Sequence, residues 1–451
     1  MSSRSDSILA LDLGTSSFRA AIFGARAQMV RGTGVQVPCT PDQPEPGASE
    51  HNAKRLAEAV ETLIDSAVSA ASTAVIGAIG MSCFWHSLVG VDGAGHPLTP
   101  VYLWSDLRSA SDAAMLRLEL DEHEVYRRTG AALHPTFWTA KLRWMARTRP
   151  HVAQRVRHWL SFADYLRLRW LGETCSSLSM ASATGLFDQH RQQWDTALLG
   201  AVGVDPSTFP PIIDLGKRGP TLRPRYAQRW PNLIRALWLP AIGDGACSNV
   251  GVAALGPKHW AITVGTSAAV RVVLETSALD LPWGLWQYRL DSERAVIGGA
   301  LNNGGNVYAW LRRTLRLPSQ AAIEHALLTR PWGVHGLSVD PSLAGERSPD
   351  WPLNATGWIS GITQATEPID ITQAMLEAVA ERIGSIAALL ETAVGAPEEI
   401  VTTGGAMLRS RAWANMLASA LGRPVTPSPI REGSLRGAAL LAIEQTDRSQ
   451  G

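Results

Sequence analysis

Ile8-Leu9-Ala10-Leu11-Asp12-Leu13-Gly14-Thr15-Ser16 and His259-Trp260-Ala261-Ile262-Thr263-Val264-Gly265-Thr266-Ser267 share one pattern, a short apolar run that stops at Gly-Thr-Ser. Strand-forming residues ahead of Gly-Thr-Ser describe a β-strand that turns tightly, with hydroxyls and free backbone N–H groups at its tip. Such a tip is a cradle for phosphate oxygens. A second strand-like run follows each copy, at residues 19–23 and 270–274. The copies lie a little over half the chain apart, and they predict a duplicated fold that clasps one polyphosphate between its halves.

The rest of the chain suits that reading. At 451 residues, 45% hydrophobic and 18% charged, it holds enough apolar material for two cores, each in a lobe of roughly 200 residues. A net charge of +1 without long runs of one sign argues against nonspecific binding to nucleic acid or anionic lipid. No apolar stretch approaches the ~18 residues of a membrane span. The polar start, residues 1–7, is unlike a signal peptide. Cys39, Cys83, Cys175 and Cys247 are far apart, without metal-ligand spacing, so a reducing cytoplasm and no structural zinc are expected.

Leu56, Val60, Leu63, Ile64, Ala67 and Val68 recur at helical spacing. Residues 75–81 and 88–91 read as strands, and helical patterns surround 140–146 and 152–170. Pro206, Pro210, Pro211, Pro220 and Pro224 punctuate the approach to 237–242, where the second lobe is expected to begin. The expected domains are therefore residues 1–240 and 241–451. Beyond them, 306–315 and 371–392 read as helices, 331–361 as irregular, and 400–402 as a strand ending at Gly404-Gly405. Strands alternate with helices in both halves, so the class is α/β, with a cleft between related lobes.

Asp12, near the end of the first run, can hold magnesium when a nucleotide lies against the turn; an Asx turn is the bland alternative. The second copy carries Thr263 in its place, so the turn itself does not demand an acid. Asp244, within Gly243-Asp244-Gly245, stands at the expected lobe junction and suits a general base toward a substrate hydroxyl. A solvated Gly-Asp-Gly turn is its rival. Gly298-Gly299, Gly304-Gly305 and Gly404-Gly405 permit close backbone approach to a ring, a phosphate or a packed helix. Trp85 offers a face for a sugar and His86 a hydrogen-bonding ring, while Trp104, Asp106 and Arg108 form a second wall. Neither a G-x-x-x-x-G-K-[ST] loop nor a G-x-G-x-x-G after a strand occurs, which excludes a P-loop enzyme and argues against a dinucleotide fold.

Assembled in order, these motifs resemble the FGGY carbohydrate kinases of the sugar kinase/chaperone/actin superfamily. Asp12-Leu13-Gly14-Thr15-Ser16 is similar to that family's first phosphate loop and Gly243-Asp244-Gly245-Ala246 to its catalytic-Asp loop. Thr263-Val264-Gly265-Thr266-Ser267 resembles its second phosphate loop and Thr403-Gly404-Gly405-Ala406 its adenosine motif, with Glu432 to Ala439 as its C-terminal signature. The resemblance implies two ribonuclease-H-like (actin-like ATPase) lobes, sugar held mainly by the first and ATP mainly by the second. It assigns Asp244 to catalysis, Asp12 to Mg2+, and Gly14, Thr15, Ser16, Gly265, Thr266, Ser267, Gly305, Gly404, Gly405, Ala406 and Arg409 to the nucleotide. Trp85, His86, Trp104, Arg108 and Thr136 join Asp244 at the substrate.

The Trp85-His86 pair departs from the Met-His usual in xylulose kinases and the Arg-Glu of glycerol kinases. Three stretches look more like the gluconate-kinase branch: His134-Pro135 with Trp138, Lys141-Leu142 and Trp144; Gly298 through Asn306; and Gly345-Glu346-Arg347-Ser348-Pro349 with Trp351. Arg108, Lys141 and Asn303 are the candidates for binding an aldonate carboxylate. Arg409 stands where some relatives carry Asn. The expected reaction is phosphorylation of a sugar or sugar acid, gluconate first, with xylulose, another pentulose or a polyol as the alternative. The partners are ATP, magnesium and that small molecule, with room for a homodimer. The rivals are a nucleotide-switched binding protein of the actin or chaperone kind and a non-catalytic regulator.

Overall fold

A computed structural model describes residues 7–70, 74–216 and 219–448; the chain start read above falls on residues 1–6, outside the described residues. Two mixed six-stranded sheets organise it. In the first, Ser7–Leu13 and Ser17–Phe23 form the antiparallel hairpin around the first Gly-Thr-Ser. Val35–Pro38 continues antiparallel beside the second strand, while Ile76–Cys83 lies parallel to the first and Leu237–Trp238 parallel to that. The second sheet repeats the order. His259–Val264 and Ala268–Glu275 make the hairpin, Arg294–Leu301 lies antiparallel on one side, and Glu399–Thr403 then Thr426–Pro427 lie parallel on the other. The duplication read from two tripeptides is thus a duplication of sheet topology, the α/β architecture expected.

The central strands are mostly apolar, with helices packed against them, as sheets with parallel central strands require. Helix Ala53–Ala70 packs Leu56, Val60, Leu63, Ile64 and Ala67 inward, the stripe its spacing predicts. The 27-residue helix Pro368–Val394 does the same for the second sheet, burying Met375, Leu376, Val379, Ile383, Ile386 and Leu390. A third apolar cluster, from Leu88 to Phe209, forms the core of the insertion that leads back to the first sheet.

Three expectations change. The helical pattern over 152–170 is interrupted by strand His158–Leu160. Ser161 then caps helix Phe162–Leu171, accepting from Asp164 N while Asp164 Oδ2 accepts from Ser161 N, which restarts the helix. The stretch 331–361 contains a short hairpin, Ser338–Asp340 with Trp358–Ser360. The expected division at 240/241 does not coincide with the sheets either, since Ile242–Gly243 still pairs with Ile76–Cys83. Helix Gly433–Arg448 also returns to the first lobe, with Leu435, Ala438, Ala439, Leu441 and Ala442 in its core. Glycines admit it: a Cβ on Gly80 would sit 2.2 Å from Ala438 O, and one on Gly437 would sit 1.9 Å from Cys247 O. Among the described residues, no helix is long and apolar enough to cross a membrane, and all four cysteines are free.

Candidate active site

Asp244 opens helix Asp244–Gly251. Its flanking glycines serve a purpose other than the backbone freedom expected, because Gly243 has φ −61° and Gly245 is helical. The reason is Trp85. A Cβ on Gly243 would lie 1.8 Å from Trp85 Cε2, and one on Gly245 would lie 2.6 Å from Cζ3. The indole therefore lies flush against the loop that carries the acid. Its Nε1 donates to Ser179 O at 3.1 Å, and its ring makes edge contacts with Tyr288 at 5.0 Å and Trp286 at 5.9 Å.

A cavity of about 100 Å³ opens between the lobes here, lined by Trp85, His86, Trp104, Asp244, Arg271, Tyr288 and Arg347, among others. Burial pushes the Asp244 carboxyl above its usual range, opposed by Arg271, the Gly245 N–H and Arg347. His86 takes a left-handed backbone (φ 64°) and donates Nδ1–H to Ala183 O at 2.6 Å. Burial, then the charge of Arg347, pushes it down to about 3. The ring is neutral, and Nε2, without a partner among the described residues, is left as an acceptor. Tyr288 Oη likewise has no protein partner among them.

Neither arginine in the cavity was given a site role from sequence, although Arg347 lies within the Gly345–Pro349 stretch read above as similar to the gluconate-kinase branch. Arg271 Nε donates to Asn249 Oδ1 at 3.2 Å and its Nη2 to Thr263 Oγ1 at 2.7 Å. Arg347 lies over the Trp104 ring at 4.5 Å, with Nη2 donating to Leu301 O at 3.1 Å. The signal available for Arg347 was the Glu-Arg pair inside a Gly/Ser/Pro-rich segment. For Arg271 it was a lone cation in an apolar strand.

The three residues expected to meet a carboxylate are engaged elsewhere. Arg108 does not line the cavity. Its guanidinium is bound by Asp106, Glu45 and Glu50 and lies over the Tyr102 and Trp144 rings. Lys141 Nζ donates to the backbone oxygens of Asp106, Pro135 and Thr136. Asn303 Nδ2 donates to Gly345 O and Glu346 Oε2, while Oδ1 accepts from Ala344 N. Thr136 is buried with its Oγ1 3.0 Å from His134 Nδ1, outside the cavity lining.

The nucleotide candidates of the second lobe converge. Gly305 N donates to Gly265 O at 2.8 Å, and Asn306 N to Thr266 O at 3.1 Å. Gly404 has φ +90°, and a Cβ there would meet Val264 O at 2.3 Å. Beside these loops a cavity of about 210 Å³ is lined by Gly305, Tyr308, Ile323, Ala406, Arg409 and Trp413. A second, of about 640 Å³, touches Arg19, Gly404, Gly405, Arg409 and Glu432. On the first hairpin, Asp12 accepts from Ser82 Oγ at 2.8 Å and Arg19 Nη1 at 3.3 Å. Burial, only partly offset by those two, pushes its carboxyl up to about 6. Gly14, Thr15 and Ser16 form the turn beyond it, closed by Gly14 N to Ser17 O at 3.1 Å.

Comparison with known proteins agrees. A gluconokinase of Bacillus subtilis (strain 168) is 28% identical over 98% of this chain and 88% of its own length. A xylulose kinase of Klebsiella pneumoniae is 27% identical over 92% and 84%. The crystal structure of gluconate kinase from Lactobacillus acidophilus superposes with a TM-score of 0.90 at 25% identity, covering 99% of this chain and 90% of that one. Residues 7–251 match the N-terminal domain, and residues 260–445 the C-terminal domain, of the FGGY family of carbohydrate kinases. With two repeated sheets and an acid in the cleft between them, the chain belongs to that family.

Proposed function

We propose that this enzyme transfers the γ-phosphoryl group of ATP to a terminal hydroxyl of a sugar acid, with gluconate as the preferred acceptor. The observation that carries the reading is one cavity holding Asp244, a neutral histidine and two buried guanidiniums. A neutral polyol needs hydrogen bonds only; two buried guanidiniums suit an anionic acceptor. The gluconokinase relatives support the same choice. Xylulose or another pentulose is the alternative acceptor within the family.

In this reading the acceptor hydroxyl donates its proton to Asp244 as its oxygen bonds to the γ-phosphorus. The bond from that phosphorus to the bridging oxygen breaks, and ADP leaves. A carboxyl raised by burial is a stronger base once ionised, and the charge of Arg271 opposes that rise. His86 Nε2 and Tyr288 Oη orient the acceptor hydroxyls. The backbone N–H groups around Gly14 to Ser16 and Gly265 to Ser267 receive the phosphates. The site fits magnesium, which favours a single carboxylate completed by phosphate and water: Asp12 has lone pairs left beyond Ser82 and Arg19. With magnesium held at Asp12, charge developing on the phosphoryl oxygens would be neutralised.

Coupled ADP release with gluconate, xylulose, ribulose and glycerol tests the assignment, gluconate giving the highest kcat/KM. In Asp244→Ala the acceptor-dependent rate should fall by about 10²–10⁴-fold. A rate near wild type would sink the base assignment. Turnover of ATP indifferent to every acceptor would sink the kinase reading.

A further inference from the structure

Arg271 and Arg347 enter the cavity from different elements and are held differently. Arg271, on strand Ala268–Glu275, is tethered beside the acid: Nε and Nη2 are bound to Asn249 and Thr263, and a Cβ on Gly245 would sit 3.1 Å from its Cδ. Arg347 stands at the Trp104 side, on the segment that follows Glu346. Its backbone is pinned at both ends, with N donating to Glu346 Oε1 at 2.9 Å and O accepting from Trp351 N at 2.7 Å. Glu346 itself is bound to Asn302 N, Asn303 Nδ2 and Arg347 N, not to the guanidinium. Arg347 is 8% exposed, and its Nε is buried without a partner. One N–H is engaged, by Leu301 O. A guanidinium over an indole leaves in-plane N–H groups of Nη1 and Nη2 beyond the Leu301 bond for a planar anion, which suits a carboxylate.

We propose that Arg347, stacked on Trp104, seats the carboxylate of the acceptor, so that the acceptor lies with its acid end at Arg347 and its reacting hydroxyl at Asp244. The assignment rests on the sugar-acid reading above and adds its orientation. It keeps the acceptor's negative charge away from the incoming phosphoryl group and selects the hydroxyl at the opposite end of the chain. Arg271 then serves the acid and the phosphoryl end, and does not read the carboxylate.

The test is calorimetric binding of gluconate and of glucitol, which lacks the charge, to the full-length enzyme at pH 7. Wild type should favour gluconate by about 100-fold. Arg347→Met should shrink that ratio to within about threefold, with Arg347→Lys retaining part of it because the charge survives without the fork. Arg271→Met should keep the ratio while lowering turnover. Retention of the full preference in Arg347→Met, or its loss in Arg271→Met alone, would overturn the proposal and leave the sugar-acid reading standing. Wild type that binds and phosphorylates xylulose but not gluconate would instead remove the reading itself. Should Arg347→Met not fold, phenylglyoxal labelling of wild type decides. Gluconate but not glucitol must protect the Arg347 peptide in mass spectra; equal protection, or none, overturns the assignment.

Discussion

Gly243→Ala tests whether the acid is placed by the tryptophan beside it. The added Cβ would fall 1.8, 2.0 and 2.3 Å from Trp85 Cε2, Nε1 and Cζ2, where ordinary contact begins at about 3.4 Å. Either the indole or the loop must give by more than an ångström. The indole is anchored by Ser179 O and the Tyr288 ring, and Gly243 N donates to Ser179 Oγ at 3.1 Å. Overpacking of this kind costs about 1–3 kcal/mol, and the two shared hydrogen bonds place the expected cost in the upper part of that range. For lobes of this size, the melting temperature should drop by roughly 5–10 °C in scanning calorimetry. Asp244 follows Gly243 directly, so a displacement near 1 Å should lower kcat by about 10²-fold. The decisive comparison is Gly243→Ala in a Trp85→Ala background. With the indole gone, the alanine should add less than about 1 kcal/mol. An equal penalty in both backgrounds, or a single variant with unchanged melting and kcat within twofold, would refute the reasoning.

Two further predictions concern charge. Asp12 has its folded pKa raised to about 6 from 3.8, so the folded state binds its proton more tightly than the unfolded chain does. Between about pH 4 and 6 that acid should therefore lose stability as pH rises, a cost of about 3 kcal/mol at neutrality. Asp12→Asn, which still accepts from Ser82, should melt higher at pH 7 and show a flatter pH dependence over that window, while its magnesium-dependent turnover collapses. An unchanged or lower melting temperature at pH 7 would contradict the burial argument. Arg108→Met should leave Asp106, Glu45 and Glu50 without their shared cation and lower the melting temperature by several degrees. It should not shift KM for gluconate, because the guanidinium faces those carboxylates and not the cavity; a rise of tenfold or more would restore it to the acceptor site.

The fold was legible because duplication leaves a mark on composition. Each of the two hairpins carries Gly-Thr-Ser at its turn, and the central strands covered by helices are mostly apolar. The acid of the cleft was legible for a partly mistaken reason: the glycines around Asp244 pointed to it, yet they make room for an indole and do not loosen a turn. Polar residues were harder. Arg108, Lys141 and Asn303 look free in sequence, whereas the fold supplies each with carboxylates or carbonyls that no local pattern announces. Arg271 was missed for the converse reason, since a buried cation within a strand carries no spacing signal, and Arg347, though inside a stretch singled out by resemblance, had no local pattern to mark its guanidinium as facing the cavity. The capping pair Ser161 and Asp164, by contrast, is a local signature from which the break near residue 160 could have been read.

The return of helix Gly433–Arg448 to the first sheet bears on how the chain must be made. During vectorial synthesis, residues 7–251 leave the ribosome while Gly80, Ala246, Cys247 and Val250 still lack the partner that covers them. The first lobe cannot close its core until helix Gly433–Arg448 emerges. Its nascent form would expose an apolar groove shaped for one late segment, so the second lobe, whose own cluster lies between Trp260 and Leu417, can reach its native packing before the first. Split into two chains between residues 251 and 260, the first half would depend on the second for its covering helix, and a circular permutation that places helix Gly433–Arg448 ahead of the first hairpin should speed the appearance of folded enzyme.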